Sequence, residues 1–445
     1  MRSVPPLVHL AISLLLATVS AVAPSAAGAA QATSENPPPA GPTVQMTLKP
    51  GAVPGFPAPR ESVVSLTQEN LPDGGLRLKA PKSVLDLSRC LQVSLRVKNS
   101  DSTTALIRAR LLSVPGATAW VSARKPTAPG RVAEIVVPFD EGPARFSGSF
   151  VLLSGSRFES DHLSAIEVEA EGDLTHKLQV VSICASVPRP PALPSWLGKR
   201  PPVPGRWRKT MSEEFDGPEV DEKLWSIYHP NYWDPTAHFS KENVIPGGGL
   251  LRLRFEHKRG HADDDPTKPE TDWATGFLTG THKWTQRYGY FECRMKLPHA
   301  PGMWPAFWMM PDRGPAANHD EDTAKGGMEF DILEYLARFG PYRYNVACHW
   351  DGYGSSHRVC ACDRIYVQPD KEGFYTAGLL WDPGEATFYC NGRVVAHWKS
   401  PRVCSVPMYI LFTAVSGGWG APISVTGEGL PSDYVLDYVR VWQRE

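Results

Sequence analysis

Three carboxylates lie close together in residues 328–335, which read Met-Glu-Phe-Asp-Ile-Leu-Glu-Tyr. Acidic and apolar residues alternate at the start of this stretch, as in a half-buried β-strand. In a regular strand Glu329 and Asp331 point to one face, whereas Glu334 points to the other. One extra residue between Asp331 and Glu334, a β-bulge, returns all three acids to the same face. The stretch therefore predicts a bulged strand that lines a groove with three acids.

Paired acids of this kind suggest catalysis at a glycosidic bond. Two carboxyl groups about 5 to 5.5 Å apart on either side of a glycosidic bond are the arrangement of retaining glycoside hydrolysis. The alternative is the solvated face of an edge strand whose Phe330 and Ile332 face the core. The preceding segment favours the first interpretation, because Trp304 and Trp308 come just before the acids. Tryptophan offers a flat apolar face to a pyranose ring, although it fills protein cores equally well.

Several further segments, in order along the chain, resemble the catalytic domain of family 16 glycoside hydrolases, the group of laminarinases, agarases, carrageenases and lichenases. The resemblance spans roughly residues 207 to 445. Besides the acid motif of the form Glu-x-Asp-x-x-Glu, it is carried by Ser-Glu-Glu-Phe-Asp-Gly at 212–217, Tyr-Gly-Tyr-Phe-Glu-Cys-Arg-Met-Lys at 288–296, Leu-Trp-Asp-Pro at 380–383, Phe-Tyr-Cys-Asn-Gly at 388–392 and Val-Leu-Asp-Tyr-Val-Arg-Val-Trp at 435–442. It implies a concanavalin-like β-jelly-roll sandwich.

The resemblance also implies roles for the three acids. Glu329 is expected to be the nucleophile, Glu334 the general acid/base, and Asp331 the carboxyl between them. Glu334 must carry a proton near neutral pH, so its pKa should be raised by its carboxylate neighbours and by partial burial. Glu329 must be ionised. Asp331 can hydrogen-bond the nucleophile, and we therefore expect the three acids to titrate as a coupled group.

Six further residues are candidates for substrate contacts, and each has a structural alternative such as core packing or an ion pair. They are Trp304, Trp308, His349, Arg294, Glu292 and Trp419. His349 resembles a family residue near the scissile bond. The resemblance further suggests a structural calcium that uses Asp437 and Glu214, since oxygen ligands suit that ion. No cofactor is expected for catalysis itself.

The domain plan follows from composition. Residues 1–30 have a positive start, an apolar stretch and small residues, as in a signal peptide, and residues 31–45 form a flexible leader. Residues 46–186 alternate like strands, for example at 91–97, 132–137 and 165–170, and predict an N-terminal β-sandwich that is either a carbohydrate-binding module or a spacer. The proline-rich residues 187–206 predict a linker, and residues 207–445 the catalytic domain. The fold class is thus all-β.

The cysteines and the net charge indicate the compartment and limit the possible partners. Eight cysteines fit an oxidising compartment, and Cys90 and Cys184, the only two in the N-terminal part, are the economical disulfide pair. The other six permit fifteen pairings. A formal net charge of −1 argues against nucleic acid as a partner, and no segment is long enough for a membrane span. We expect a secreted or periplasmic monomer.

The sequence thus predicts an exported, endo-acting, retaining hydrolase of internal β-linkages in a polysaccharide, either β-1,3-glucan or a marine galactan such as agar. One alternative is a transglycosylase, which passes the same glycosyl-enzyme intermediate to another glycan instead of water. The other is a non-catalytic glycan-binding protein, which the presence of all three acids disfavours.

Overall fold

The computed structural model describes residues 42–445 apart from 73, 148–150, 155, 174, 230–233, 235, 316–320 and 418–426. The predicted signal peptide and most of the predicted leader lie outside these residues. The described elements are β-strands and short 3-10 helices. Within this part of the chain, no helix has the length and apolar character that crossing a membrane requires.

The first eleven strands belong to the N-terminal part of the chain. They are β1 (Thr43–Lys49), β2 (Ser62–Asn70), β3 (Leu76–Lys79), β4 (Gln92–Asn99), β5 (Ile107–Ser113), β6 (Val121–Ser122), β7 (Val132–Pro138), β8 (Ala144–Ser147), β9 (Val151–Ser154), β10 (Leu163–Ala170) and β11 (Leu178–Ser186).

The remaining sixteen strands form the C-terminal part. They are β12 (Trp207–Glu213), β13 (His238–Phe239), β14 (Val244–Pro246), β15 (Leu251–His261), β16 (Glu270–Thr275), β17 (Phe277–Thr279), β18 (Gly289–Lys296), β19 (Met303–Pro311), β20 (Glu329–Glu334), β21 (Arg343–Trp350), β22 (Arg358–Tyr366), β23 (Tyr375–Asp382), β24 (Glu385–Cys390), β25 (Arg393–Lys399), β26 (Met408–Ser416) and β27 (Ser432–Arg444). Described 3-10 helices are Pro81–Ser83, Ser160–His162, Lys241–Asn243, Ala262–Asp264 and Ala337–Phe339.

Nine N-terminal strands form one sheet in the order β6-β5-β10-β3-β2-β1-β11-β4-β7. Its two ends meet, because β5 and β6 contact β7, so the sheet closes over a core of its own. Alternation along the strands builds this core. In β4, Val93, Leu95 and Val97 are buried, whereas Ser94 and Arg96 between them are not. The strands predicted at 91–97, 132–137 and 165–170 are confirmed.

The C-terminal part is a two-sheet sandwich, as the jelly-roll prediction required. One sheet has six strands in the order β17-β26-β19-β20-β21-β22. The other has twelve strands, in which β18 lies between β27 and β23. Apolar side chains from both sheets fill the space between them, including Phe291 of the larger sheet and Phe330 and Phe412 of the smaller one. The acids can therefore occupy only the outward face of the six-stranded sheet.

The two parts are joined more closely than two sandwiches and a linker would be. Strands β8 and β9 leave the N-terminal sheet and extend the twelve-stranded sheet, because β8 pairs in parallel with β25. The proline-rich segment packs against the same sheet, where Arg440 donates to the Gly198 carbonyl at 2.7 Å. Sequence composition predicted a linker here, but the Gly198 and Pro204 carbonyls accept from arginines of β27, and the Pro194 ring lies against Gly392.

A buried arginine lies where the two parts meet. The Arg343 side chain is 1% exposed and donates to Asp161 and Asp363, each at 2.8 Å, and to Glu159 at 3.4 Å. Beside it the Tyr366 hydroxyl donates to the Phe158 carbonyl at 2.8 Å. A guanidinium so enclosed is tolerated because its hydrogen bonds and three carboxylates replace the lost water.

We predict that Arg343→Met lowers the free energy of unfolding by about 3 kcal/mol, since three partly buried carboxylates lose the cation enclosed among them. Arg364 remains paired with Glu159 and Asp363 only. Equilibrium urea unfolding at neutral pH measures the change. Arg206→Met is the matched control, because Arg206 is 88% exposed and its ion pair with Glu445 should contribute almost nothing. Equal stability of the two variants would contradict the prediction.

The eight cysteines are all free thiols in the structure. The predicted disulfide between Cys90 and Cys184 is not formed. Burial raises the pKa of Cys90 to about 12, with smaller contributions from nearby groups that include Cys184. Seven of the eight side chains are buried among apolar neighbours, where a thiol packs as a small hydrophobic group.

Candidate active site

The predicted bulge is present in β20. Along β21, Asp331 faces Ala347 and Glu334 faces Asn345, so three steps on β20 match two on its neighbour. Along β19, Phe307 faces Leu333 while Trp308 faces Asp331, which again leaves one extra residue on β20. Both neighbouring strands therefore confirm the same irregularity.

The bulge sorts the side chains of β20 between the two faces. Phe330, Ile332 and Leu333 all join the sandwich core, although the last two are consecutive in sequence. Glu329, Asp331 and Glu334 consequently share the outward face of the six-stranded sheet. A regular strand would have turned Glu334 into the apolar core.

Glu334 is held by two donors. The Trp304 indole nitrogen donates to Oε1 at 3.1 Å, and the Asn345 amide donates to Oε2 at 2.5 Å. Burial raises the pKa of Glu334 to about 8, and the neighbouring Asp331 adds to the increase. His349 and the Asn345 hydrogen bond act in the opposite direction without cancelling it. The raised pKa favours the protonated form of Glu334 at neutral pH, which is the form that the predicted role of general acid requires.

Asp331 is a second acid with a raised pKa, and its partner is Glu329. Burial raises the pKa of Asp331 well above its usual range, and the charge of Glu329 and a hydrogen bond to it add to the rise. A protonated Asp331 can donate to the Glu329 carboxylate, which fixes that carboxylate in place. Its Oδ2 atom is buried without a hydrogen bond and lies 3.4 Å from His349 Nε2.

Three of the predicted substrate-binding residues lie at the acid cluster. Trp304 contacts Glu334 directly, and Trp308 lies beside Asp331 on the adjacent strand. His349 faces Glu329 in the register of β20 and β21, and its Nδ1 is 2.9 Å from His357 Nε2. The two tryptophans and the histidine are partly exposed, so they line the outward face of the sheet.

Glu292 and Arg294 lie elsewhere, on the outer face of the twelve-stranded sheet. Glu292 is fully buried and accepts from the hydroxyls of Tyr290 and Tyr438, and burial raises its pKa to about 7. Arg294 pairs with Asp370, Glu372 and Asp437. Alternation along β18 was read correctly, but the sequence did not reveal that β18 belongs to the sheet opposite the acids. Trp419 lies outside the described residues.

The two residues predicted to bind calcium do not fit that ion. Glu214 accepts two hydrogen bonds from Arg440, at 2.6 and 2.9 Å, and these lower its pKa. Asp437 accepts from Arg294 at 2.5 Å. Calcium requires six to eight oxygen ligands, whereas each of these carboxylates already faces a guanidinium.

Two groups of described residues have the donor spacing of a metal site, with ligand atoms within 4.8 Å of one another. One is Glu159, Asp161 and His162, whose acids pair with Arg343. The other is the acid cluster itself, Glu329, Asp331 and His349. Neither group includes Glu214 or Asp437.

Three residues of the site were missed from the sequence. Asn345 holds Glu334, Tyr353 donates its hydroxyl to Glu329, and His357 holds His349. Asn345 could have been found, because it lies four positions before His349 and strand alternation puts both on one face. Tyr353 and His357 belong to the loop between β21 and β22, whose path no periodicity predicts.

We predict that Asn345→Leu moves the basic limb of the pH profile of kcat/KM upward by about one unit. The amide hydrogen bond favours the ionised form of Glu334, and a hydrogen bond to a charged group is worth about 1.5 kcal/mol. Its loss raises the pKa of the acid further, so the protonated form persists to higher pH. Gln443→Leu removes a partly exposed amide on β27 and should leave the profile unchanged. A basic limb that stays fixed in Asn345→Leu would count against the assignment.

A two-sheet β-sandwich that presents a bulged Glu-x-Asp-x-x-Glu strand on one outward face defines a glycosidase of the family 16 type. Residues 207–444, more than half of the chain, match the family model described as Beta-porphyranase A-D, GH16 domain, and the chain belongs to this family. Residues 207–444 are therefore a family 16 glycoside hydrolase domain.

The chain is also similar to characterised glycanases. It is 29% identical over 256 residues to endo-1,3-1,4-beta-glycanase EglC of Rhizobium meliloti (strain 1021), which covers 52% of this chain and 51% of the relative. It is 28% identical to the beta-glucanase of Rhodothermus marinus, over 53% of this chain and 85% of the relative. The match thus spans about half the length of EglC.

Among solved structures, the chain is similar to the catalytic domain of an endo-1,3-beta-glucanase (laminarinase) from Thermotoga petrophila RKU-1. The TM-score is 0.46 and the identity 23%, over 54% of this chain and 99% of that chain.

Proposed function

We propose that the protein is an exported, retaining endo-hydrolase of β-linked galactans of the agar and porphyran type. The observation that carries the mechanism is the bulge in β20, which gathers Glu329 and Glu334, an acid with a raised pKa, on one face. Export is inferred from the predicted signal peptide in residues 1–30 alone.

The geometry supports a two-step displacement. Glu329 attacks the anomeric carbon as the leaving sugar oxygen takes the proton of Glu334. Water then gives a proton to Glu334 and attacks the same carbon, and the electron pair of the broken C–O bond returns to the Glu329 carboxylate. Asp331 keeps its own proton throughout and serves as a donor to Glu329. Because the chain supplies both proton transfer and the nucleophile, we propose that no cofactor is needed for these steps.

The galactan assignment rests on the family. The matched family model carries the description of beta-porphyranases, and it covers the whole six-stranded sheet with its acids. Trp304 and Trp308 suit any pyranose polymer, because they recognise ring faces and not particular hydroxyls.

A panel of laminarin, lichenan, agarose, porphyran and carrageenan tests both parts of the proposal. We expect reducing ends to appear fastest with porphyran or agarose, and proton NMR of the first products to show the β-anomer before mutarotation. An initial α-anomer would overturn the retaining mechanism, whereas release from carrageenan alone would overturn the galactan class proposed here.

The second candidate is a β-1,3- or mixed-linked β-glucan. It is favoured by the name of the 28% identical relative from Rhodothermus marinus, which is a beta-glucanase. The same panel decides, because this candidate requires laminarin or lichenan to be the preferred substrate.

A further inference from the structure

The loop between β21 and β22 is fixed to the rest of the sandwich at its first residues. Asp351 has a positive φ of 63° and donates its N–H to the Thr323 carbonyl at 3.1 Å. Gly352 donates its N–H to the Thr323 hydroxyl at 2.9 Å, and Arg402 pairs with Asp351 at 2.9 Å. Thr323 is fully buried. The chain therefore enters this loop along a defined path towards the acids.

Tyr353, the next residue, points at the acid cluster. Its hydroxyl donates to Oε2 of Glu329, and the hydroxyl oxygen of Tyr353 lies 3.6 Å from the Met310 sulfur. Its ring packs against His357 with the ring centroids 5.6 Å apart. Burial and the neighbouring Glu329 raise the pKa of Tyr353 well above its usual range, so the phenol keeps its proton and acts as a donor.

Glu329 is thereby held by donors from two different segments of the chain. Asp331 donates from β20 itself, and Tyr353 donates from the loop beyond β21. The loop is connected back to β20 through the contact of His357 with His349, whose Nε2 lies 3.4 Å from Asp331 Oδ2. A carboxylate held at two points cannot turn freely about its terminal bond, and a preorganised nucleophile needs no reorganisation when the sugar arrives.

We propose that Tyr353 is a positioning residue for the nucleophile, an inference that rests on the proposed role of Glu329. When the C–O bond between Glu329 and the sugar breaks in the second step, the electron pair returns to the carboxylate, and the Tyr353 hydroxyl is placed to donate to it. The hydroxyl transfers no proton in either step. Its contribution is made to the transition states more than to substrate binding, since it touches Glu329 and not the sugar.

Tyr353→Phe removes only the hydroxyl. With the panel substrate that the wild-type protein cleaves best, we expect kcat to fall by about 10- to 100-fold while KM stays within about twofold. The melting temperature should remain unchanged. Tyr389→Phe is the matched control, because Tyr389 lies on the outer face of the twelve-stranded sheet, and it should behave as wild type.

Thr323→Val provides a second variant, because it removes the hydroxyl that accepts from Gly352 and loosens the loop. It should lower kcat in the same direction and less strongly. A Tyr353→Phe variant with unchanged kcat, beside an inactive Glu329→Ala variant, would overturn this inference alone. An active Glu329→Ala variant would instead overturn the proposed function on which the inference rests.

Discussion

Replacing Glu329 with alanine is expected to lower kcat by at least about 10⁴-fold while the protein stays folded and still binds polysaccharide. Glu329 is the acid that accepts hydrogen bonds from both Asp331 and Tyr353, so it is the one held in position for attack. Without it no covalent glycosyl intermediate can form, and loss of a nucleophile typically removes most of the rate enhancement. Initial rates of reducing-end release measure the loss, and affinity gel electrophoresis measures binding.

Sodium azide makes this prediction specific to the role of the residue. In Glu329→Ala the small anion can enter from the side that the carboxylate occupied and attack the anomeric carbon of an aryl β-glycoside. The product should therefore be the α-glycosyl azide, with inverted configuration. Glu385→Gln, which removes a carboxyl on β24 of the other sheet, should leave kcat unchanged. A β-configured azide from Glu329→Ala would show that the roles of the two outer acids are exchanged.

The acid motif was predictable because its information is local. Three acids at positions 329, 331 and 334 cannot share a face unless a residue is added, and burying Glu334 in the core would be costly. The same spacing required Ile332 and Leu333 to face the core together, as they do. A raised pKa for Glu334 followed from the proximity of like charges and from burial.

Contacts between distant parts of the chain were not predictable in the same way. The alternation in β18 gave the correct faces for Glu292 and Arg294, yet which sheet contains β18 depends on its pairing with β27, far along the sequence. Likewise β8 reads as an N-terminal strand but pairs with β25. Tyr353 reaches Glu329 only because Thr323 and Arg402 direct its loop, and these residues precede and follow it by about 30 and 50 positions.

The burial that gives Glu334 its function also costs stability. A carboxyl whose pKa rises from 4.5 to about 8 on folding is easier to protonate in the native state than in the unfolded chain. The native protein is therefore favoured below pH 4.5 and loses this contribution as the pH rises towards 8. Glu334→Gln keeps a neutral, hydrogen-bonding side chain, so we expect it to be more stable than wild type above pH 8, as measured by thermal unfolding across pH.

The same substitution is expected to lower kcat on polysaccharide by about 10²- to 10⁴-fold, the usual effect of losing a general acid. Wild-type activity should fall as the pH rises through about 8, because Glu334 then loses the proton that the leaving oxygen needs. In Glu334→Gln that basic limb should disappear. For aryl glycosides with good leaving groups, the rate of the first step should be little affected, since the leaving group needs no proton. A basic limb that persists unchanged in Glu334→Gln would assign it to another group, and the general acid would then have to be sought outside β20.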